Sequence, residues 1–452
     1  MTSFSSPLSL RPTLSPLHRL SRHLSRSLLG LACLAALAPS AHAKGPKDPY
    51  LDGEVLVRLH TTAGLAPLLT KYHLAVVAQS GARPIYRLSV QDGGSVTAKV
   101  KALLLEPEVI AAEANVKPQA PEARKNAVWA IGSEVEYREQ WAPDAIRLAD
   151  AHLLSEGAGI RVAVLDTGVD PSHPALAGKL LPGRDFVDGD NDPREEGSTD
   201  NGGFGHGTHV AGLVALAAPA AKIMPIRVLD PDGRGDVWKL ADALAYALDP
   251  DGNPATDDGA HVVNMSLGTL DRTSILDAAM TLAACAIPKP TNDPATDFTD
   301  PGYDKDKARC ATSQRGAVII AAAGNDGSRD ARQYPAAENV YGLLPIGATA
   351  ANHRYAAFSN TGSWIDVAAP GDHITSSVPG GQYGTWSGTS MAAPLAAGVA
   401  ALVRSRSPKL NPVDVTRRLE RTGAALCGNV KAVQIDAWAA LKNKPAPDLS
   451  CL

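Results

Sequence analysis

The fold is decided by the stretch Val162-Ala163-Val164-Leu165-Asp166-Thr167-Gly168, in which an apolar run ends in an aspartate and a turn glycine. Four successive apolar residues are typical of a strand that is buried on both faces of a parallel sheet. In open α/β sheets, active sites lie at the carboxyl ends of the strands. Asp166 is therefore a candidate functional residue, although an aspartate after a strand is more often a turn or cap residue.

Apolar strands alternate with helices along the chain from Gln140 onward. Short apolar strands separated by helices predict an α/β fold with a mainly parallel sheet and helices on both faces. Two loop-rich insertions, at 249–259 and 287–309, interrupt the pattern. The predicted strands are 162–165, 223–228, 262–265 and 318–322, and the predicted helices are 209–216, 237–248, 274–284 and 390–403.

A smaller unit precedes this domain. Its order of elements predicts a small α+β domain of ferredoxin-like form, with two helices on one sheet. The stretch 121–138 is polar and contains proline and alanine, which is typical of a linker. We therefore expect a small domain over 44–120, a linker over 121–138 and the large α/β domain over 139–452. The small domain's strand patterns are 54–59, 85–90 and 109–114, and its helix patterns are 65–72 and 96–105.

The first 43 residues have the three parts of a secretory signal peptide. A basic stretch precedes the apolar run 28–38, and the pattern Ala41-His42-Ala43 predicts cleavage before Lys44. An organelle transit peptide is the alternative. A lipoprotein anchored through Cys33 is disfavoured, because Gly30 stands where a lipobox needs leucine. We expect a secreted or periplasmic protein without membrane attachment once this segment is removed.

The composition is that of an ordinary globular protein, with 44% hydrophobic and 20% charged residues. The formal net charge is -4. Removal of the four arginines among the first 43 residues leaves 39 basic against 47 acidic residues. A chain of this acidity has no general attraction for nucleic acid, so no nucleic-acid partner is expected.

Four cysteines remain after the signal segment, and an even number in an exported chain indicates disulfides. Three pairings are possible, and the simplest joins sequence neighbours, Cys285 to Cys310 and Cys427 to Cys451. A zinc site is disfavoured because no pair has CxxC-like spacing.

Three further motifs carry residues that suit nucleophilic catalysis. His206 opens the stretch His206-Gly207-Thr208-His209-Val210-Ala211-Gly212, and Ser390 lies in Gly388-Thr389-Ser390-Met391-Ala392-Ala393-Pro394. A third apolar strand ends in Gly324-Asn325. Each residue taken alone has an ordinary structural explanation: the histidine packs in the core, the serine caps a helix and the asparagine forms a turn. A metal site on His206 and His209 is disfavoured because the acid of an HExxH-like motif is absent.

Taken together, the motifs resemble those of the subtilisin-like serine proteases, the subtilases. The chain order of aspartate, histidine and serine, with an asparagine before the serine, matches that family, and HGTHVAG and GTSMAAP are its most specific strings. The resemblance covers about 140–441. Further matches are Gln140-Trp141 with Ile146, Asn264-Met265-Ser266-Leu267-Gly268, Val367-Ala368-Ala369-Pro370-Gly371 and Ile435-Asp436-Ala437-Trp438-Ala439-Ala440-Leu441.

The resemblance implies a serine endopeptidase that forms an acyl-enzyme. Ser390 would be the nucleophile, His206 the general base and acid, and Asp166 the residue that orients His206. The Asn325 amide and the Ser390 backbone N–H would hold the oxyanion. His209 matches a packing position in the motif. The residues implied to line the substrate cleft and the primary specificity pocket are Ser266, Leu267, Gly268, Ala322 and Gly324.

The region 54–116 is similar to the subtilase propeptide, mainly in its element order and its ending Val109-Ile110-Ala111-Ala112-Glu113. The resemblance implies a zymogen that is processed by itself, with its own propeptide as intramolecular inhibitor. The linker is where such a precursor is cut. The expected partners are protein or peptide substrates, and a monomer is expected.

The resemblance does not extend to the calcium site of the family. Ala175 stands where several relatives have a calcium-binding aspartate, and the calcium loop that many subtilisins insert after the HGTHVAG motif is missing. Leu395 replaces a common, non-catalytic histidine. No cofactor is required for the chemistry. Calcium remains possible at two oxygen-rich loops, which are Asp188-Gly189-Asp190-Asn191-Asp192 and Asp249-Pro250-Asp251-Gly252-Asn253 with Asp257 and Asp258.

Two other functions use the same residues. One is an inactive binding or scaffold protein on the same fold, which would be indicated by a lost triad or oxyanion residue; none is lost. The other is an esterase-like hydrolase, which is disfavoured because the sequence has no G-x-S-x-G elbow. The peptide preference is not predicted, because the loop 326–337 differs in length from the common pattern.

Overall fold

The computed structural model describes residues 49–81, 83–125, 129–253, 255–285, 316–428, 430–449 and 451. The predicted signal peptide and Cys310 lie outside these residues. Within them, no helix combines the length and the apolar character that a membrane crossing requires.

The small domain is an antiparallel sheet with strand order β2-β3-β1-β4. Its core joins alternate residues of β1, including Val55 and Val57, to Leu68 and Leu103 of the two helices. The prediction missed β2, which lies at the sheet edge and leaves Val76 and Val77 half-exposed. The elements are β1 Tyr50–Leu59, α1 Leu65–Tyr72, β2 Leu74–Gln79, β3 Ile85–Val90, α2 Val96–Leu103 and β4 Val109–Val116.

The large domain is built on a nine-stranded sheet with order β15-β16-β12-β11-β10-β9-β6-β8-β7. All neighbours pair in parallel except β15 and β16. A second, antiparallel sheet has the order β13-β14-β5. The strands are β5 Ala130–Gly132, β6 Arg161–Asp166, β7 Arg184–Asp185, β8 Lys222–Arg227, β9 Val262–Met265, β10 Val318–Ala322, β11 Leu343–Thr349, β12 Val367–Pro370, β13 Ile374–Val378, β14 Gln382–Trp386, β15 Ala424–Ala425 and β16 Val433–Gln434.

Helices cover both faces of the nine-stranded sheet, as the sequence predicts. Alternate residues of β6 enter two different cores, with Val162 and Val164 in one and Ala163 and Leu165 in the other. The first core contains α6 and α9, and the second contains α7 and α8. The helices are α3 Glu134–Glu139, α4 Trp141–Ala145, α5 Leu148–His152, α6 His206–Ala217, α7 Val237–Leu248, α8 Ser274–Cys285, α9 Thr389–Arg406, α10 Pro412–Thr422 and α11 Ala437–Lys442.

The predicted bounds of α7, β9 and β10 agree with the structure, whereas α6 begins three residues earlier than predicted. Helical periodicity starts at His209, but the polar residues before it already have helical geometry because Gly205, at φ 85°, ends the preceding turn. This places His206 in the first turn of α6, where its side chain faces the end of β6.

The stretch predicted as a linker is partly ordered on the large domain. It contains β5, which pairs with β14, and α3. Tyr137 of α3 is buried and donates a hydrogen bond of 2.8 Å to the Gly212 carbonyl. The polar composition of this stretch did not indicate that Tyr137 would be buried.

One of the predicted disulfides lies within the described residues. Cys427 and Cys451 are bonded, with a sequence separation of 24. This confirms the sequence-local pairing for that pair, while the pairing of Cys285 with Cys310 stays a prediction.

Candidate active site

Asp166 and His206 form a buried pair at the carboxyl end of the sheet. Asp166 is the last residue of β6 and His206 the first of α6, and both are at most 1% exposed. The distance from His206 Nδ1 to Asp166 Oδ1 is 2.6 Å. The Thr167 backbone N–H also donates to Asp166 Oδ1, at 2.8 Å. Two of the three residues that the sequence predicts to be catalytic are therefore in direct contact.

Ser390 lies in the first turn of α9 beside this pair. Its hydroxyl donates to Glu122 Oε2 at 2.6 Å and lies 3.3 Å from the Ser266 carbonyl oxygen. A hydroxyl at a helix N-terminus suits a nucleophile, because the helix dipole favours the negative charge that develops there.

Glu122 lies between the two catalytic candidates, and the sequence prediction missed it. Its carboxylate accepts from His206 Nε2 at 3.1 Å and from Ser390 Oγ at 2.6 Å through one oxygen, and from Asn325 Nδ2 at 2.7 Å through the other. The side chain is 1% exposed. His206 and Ser390 thus bind one carboxylate oxygen, which occupies the path of proton transfer between them. Nothing in the polar linker composition signals a buried carboxylate.

Asn325 has a fixed amide orientation. Its Oδ1 accepts from the Thr389 backbone N–H and from the Thr389 hydroxyl, both at 2.9 Å. The Nδ2 is therefore directed at Glu122 Oε1. A Cβ at Gly388 would lie 1.7 Å from that oxygen, so glycine leaves the space open. A negatively charged oxygen is already bound where an oxyanion is expected.

The chain just before Glu122 adds a strand to the cleft. Gln119 exchanges two backbone hydrogen bonds with Gly268, of 2.8 and 3.0 Å. On its other side, the Ala120 N–H donates to the Gly233 carbonyl and the Gly235 N–H donates to the Pro118 carbonyl, both at 2.9 Å. Backbone pairing of this kind binds an extended peptide independently of its side chains.

The predicted cleft residues divide into two groups. Ser266, Gly268 and Gly324 face the site, and the Ser266 hydroxyl donates to the Ser390 carbonyl at 2.9 Å. The side chains of Leu267 and Ala322 lie in the two cores, so only their backbones border the cleft.

Gln333 lies between the two walls of the predicted pocket, and the sequence did not indicate it. A Cβ at Gly268 would lie 2.4 Å from Gln333 Cγ, and one at Gly324 would lie 2.2 Å from Gln333 Oε1. Gly324 has φ 98°, a conformation that favours glycine. Gln333 is fully buried and accepts a 2.8 Å hydrogen bond from Arg124. Its side chain therefore fills the space between the walls.

The site has the charges of an ion pair. Burial disfavours the imidazolium, but Asp166 and Glu122 outweigh this effect and raise the pKa of His206 to about 10. Burial favours the protonated form of Glu122, but its bonds to His206, Ser390 and Asn325 hold the pKa of that carboxyl below its usual value. A protonated His206 thus faces an ionised Glu122.

His209 has a packing role, as expected. Burial lowers the pKa of His209 to about 3, so the ring is neutral. Its Nε2 lies 3.2 Å from the Ile374 carbonyl and 3.0 Å from the Gly384 carbonyl. It also packs edge-on against Trp386, which contacts the His206 ring in the same way.

A second acidic residue missed by the prediction lies next to Asp166. Burial raises the pKa of Glu195 to about 7, and the Asp166 charge contributes to this rise. The carboxylate accepts from the Thr208 backbone N–H at 3.1 Å and from its hydroxyl at 2.9 Å. Because the loop 188–196 is rich in acidic residues, the sequence did not distinguish Glu195 from its exposed acidic neighbours.

One residue of the first predicted calcium loop, Asp188, belongs to an acidic cluster beside that loop. The cluster consists of Asp185, Asp188 and Glu196. The Arg227 guanidinium lies among them, at 2.6 Å from each aspartate and 2.8 Å from Glu196. Arg227 therefore neutralises part of the charge of Asp188, and calcium at the loop 188–192 stays a prediction.

The second predicted loop brings three carboxylates together. Oxygen atoms of Asp249, Asp251 and Asp258 lie within 4.8 Å of one another. The Thr256 hydroxyl donates to Asp251 at 3.1 Å. Carboxylate oxygens are the ligands that calcium prefers, so calcium at this loop stays a prediction.

Comparison with known proteins agrees with the geometry. A family model described as the subtilase family matches residues 157–439, and one described as the fervidolysin N-terminal prodomain matches residues 36–115. The thermophilic serine proteinase of Bacillus sp. (strain AK1) is 33% identical over 401 residues, which cover 86% of this chain and 85% of that protein. Thermitase of Thermoactinomyces vulgaris is 34% identical over 299 residues, covering 64% of this chain and 90% of thermitase.

Solved structures share the fold. A protease from Pseudoalteromonas arctica superposes with a TM-score of 0.54 at 29% identity, covering 69% of this chain and 99% of that chain. The crystal structure of fervidolysin from Fervidobacterium pennivorans gives a TM-score of 0.64 at 24% identity, covering 89% of this chain and 63% of that chain. With the matched protease and prodomain regions, these likenesses show that the chain belongs to the subtilase family of serine endopeptidases and carries a fervidolysin-type prodomain ahead of its protease domain.

Proposed function

We propose that this chain is the precursor of a secreted serine endopeptidase that uses Asp166, His206 and Ser390 as its catalytic residues. The observation that carries the proposal is the single Glu122 carboxylate, which binds His206, Ser390 and Asn325 together. Residues that together bind a negatively charged group are suited to bind the anionic tetrahedral intermediate of peptide hydrolysis, which supports the proposal.

The reaction starts when Glu122 leaves and a peptide enters. The Ser390 hydroxyl attacks the scissile carbonyl carbon while His206 Nε2 takes its proton, and Asp166 stabilises the imidazolium. The tetrahedral intermediate collapses, the C–N bond breaks, and His206 donates the proton to the leaving amine. Water then attacks the acyl-enzyme with His206 again as base, which releases the acid product and restores Ser390.

The oxyanion of both intermediates is held by the Asn325 amide and the Ser390 backbone N–H. The Asn325 amide is preorganised, because Thr389 fixes its oxygen with two hydrogen bonds. Donors that need no reorganisation give the largest electrostatic contribution to catalysis. Peptide substrates would pair with Gly268 and Gly233 as the 118–120 segment does.

The precursor would have a signal peptide over 1–43, a propeptide over 44–120, a linker with the processing site over 121–138 and the peptidase domain over 139–452. The propeptide would act as an intramolecular inhibitor, a role supported by the strand that its end adds to the cleft. Export to the periplasm or medium, self-processing and a monomeric state belong to the same proposal.

The first test compares the wild-type chain with Ser390→Ala and with Ser405→Ala, a serine in the last turns of the same helix. We expect casein cleavage, fluorophosphonate labelling and a shortened N-terminus in the wild type and in Ser405→Ala, and none of these in Ser390→Ala. An unlabelled, uncleaved wild-type chain would favour the inactive scaffold instead. Unchanged processing in Ser390→Ala would exclude self-processing.

A further inference from the structure

Glu195 lies in a loop that packs directly on the turn after Asp166. The Val169 N–H donates to the Pro193 carbonyl at 3.0 Å, and the Glu195 N–H donates to the Val169 carbonyl at 3.2 Å. A Cβ at Gly168, whose φ is 112°, would lie 2.5 Å from the Arg194 carbonyl oxygen. The loop backbone is thus held against the backbone that follows the catalytic aspartate.

The Glu195 side chain binds α6, the helix that begins at His206. Thr208, two residues after His206, donates to Oε2 through its backbone N–H at 3.1 Å and through its hydroxyl at 2.9 Å. Glu195 therefore binds α6 through its side chain and the turn after β6 through its backbone.

Thr208 and Thr167, the residue after Asp166, each bind the other's element. Thr167 Oγ1 accepts from the Gly207 N–H of α6 at 2.8 Å, and Thr208 Oγ1 accepts from the Asp170 N–H, beyond β6, at 3.0 Å. The Thr208 hydroxyl can accept this bond while its own proton is directed to Glu195. The carboxylate thereby orients the Thr208 hydroxyl and links the two backbones through it.

We propose that Glu195 is a positioning residue for catalysis, which holds the end of β6 and the start of α6 in register so that Asp166 and His206 keep their contact. The inference rests on the proposed catalytic roles of that pair. Glu195 acts through Thr208 and the Val169 backbone and does not touch the substrate. A carboxylate at the N-terminus of α6 also stabilises the helix that carries His206.

The test measures kcat and KM on a peptide substrate for the wild type, Glu195→Ala, Glu195→Gln and Glu196→Gln, per site titrated by fluorophosphonate. A small displacement of catalytic groups lowers the rate by roughly up to 100-fold. We expect Glu195→Ala to lower kcat about 10- to 100-fold with KM unchanged. Glu195→Gln, which keeps an acceptor oxygen for Thr208, should recover most of that loss. Glu196→Gln makes the same charge change on the neighbour that binds Arg227, and should match the wild type.

Several outcomes would overturn the proposal. One is a kcat per titrated site in Glu195→Ala within twofold of the wild type, and another is a loss that lies entirely in KM. A third is a loss that Glu195→Gln fails to relieve. If Glu195→Ala keeps the wild-type unfolding temperature but is neither processed nor labelled by fluorophosphonate, its kcat is counted as lost. The kinetic values are then taken from Glu195→Gln. Failure of the proposed function itself is distinct, because it would leave the wild type inactive as well.

Discussion

At the scale of single residues, Glu122 accepts hydrogen bonds from His206, Ser390 and Asn325, the residues proposed to act as base, nucleophile and oxyanion donor. Hydrogen bonds to a charged group are each worth about 1.5–3 kcal/mol, more than those between neutral groups. Glu122 is therefore expected to supply much of the affinity of the 117–122 segment for the cleft.

The first prediction concerns an amidated hexapeptide with the sequence of Lys117–Glu122, tested as an inhibitor of the processed enzyme. Replacing its glutamate with glutamine should weaken inhibition about 10- to 100-fold near pH 6, because the charged hydrogen bonds to His206 are lost. The inhibition constant at constant ionic strength is the measurement. Equal inhibition by the two peptides would show that the Glu122 charge contributes nothing.

The pH dependence of that inhibition follows from the two pKa shifts. The pKa of Glu122 is lowered from 4.5 on binding, so its contribution is present above pH 4.5 and is lost as the pH falls through the bound value. Asp166 raises the pKa of His206 with or without the peptide, and Glu122 raises it further to about 10 when it is bound, so the contribution of His206 is lost as the pH rises through about 10. Inhibition should thus weaken both as the pH falls below 4.5 and as it rises towards about 10, and inhibition that is constant over this range would contradict the ion pair.

A second prediction concerns Gln333, which fills the space between the pocket walls at Gly268 and Gly324. Gln333→Ala should open this space and raise kcat/KM for substrates with phenylalanine before the scissile bond, relative to alanine, by about tenfold or more. Gln382→Ala, on the exposed start of β14, is the control and should leave the ratio unchanged. A ratio that stays constant in Gln333→Ala would place the specificity pocket elsewhere.

At the scale of elements, two buried helices carry His206 and Ser390, the proposed catalytic histidine and serine. Helices α6 and α9 pack closely because small residues meet at their crossing, where a Cβ at Gly398 would lie 2.3 Å from the Ala217 Cβ. The alanine-rich sequence of α9 is thus a packing requirement as well as a helix signal. It brings Ser390 and His206, which are 184 positions apart in the sequence, to the same carboxylate.

The third prediction follows from this contact. Gly398→Ala should lower the free energy of unfolding by about 1–3 kcal/mol, because overpacking outweighs the better helix propensity of alanine. Urea denaturation in the Ser390→Ala background, which prevents self-digestion, gives the measurement. Adding Ala217→Gly should restore part of the loss. If Gly398→Ala were as stable as its parent, the two helices would be able to move apart and make room for the added methyl group without loss of stability.

At the scale of the whole molecule, the prodomain binds the protease domain at two helix starts as well as through the cleft. The Glu113 carboxylate accepts from the backbone N–H of Ser274 at 2.8 Å and of Ile275 at 3.2 Å, at the start of α8. Asn115 Oδ1 accepts from the Trp238 N–H in α7 at 3.3 Å. Capping unpaired N–H groups of two helices explains why the prodomain docks beside them.

The fourth prediction concerns the disulfide that ties the chain end to the large domain. Replacing both Cys427 and Cys451 with serine should lower the free energy of unfolding by about 3 kcal/mol, since the bond closes a loop of 24 residues. The measurement is again urea denaturation in the Ser390→Ala background. The single variants should lose a similar amount, and stability equal to that of the parent in the double variant would show that the bond is dispensable.

The fold class and the family could be predicted from the sequence, because strand and helix periodicity and the HGTHVAG and GTSMAAP strings are local signals. The bounds of α7, β9 and β10 followed from apolar runs alone. The place of Asp166 at the carboxyl end of a strand followed from the apolar run before it, whereas its contact with His206 was implied by the resemblance to the subtilases. These features depend on residues close together in the chain.

The surroundings of those residues follow from the tertiary structure. Glu122 and Gln333, from a linker and a loop whose composition is that of solvated surface, are buried at the site, and Glu195, from a second such loop, directs its carboxylate to the start of α6. Likewise, Arg227 lies at the end of an apolar strand and binds Asp185, Asp188 and Glu196. Their roles depend on backbone hydrogen bonds and close glycine contacts between segments far apart in sequence, and no local pattern records which partner a polar side chain meets after folding.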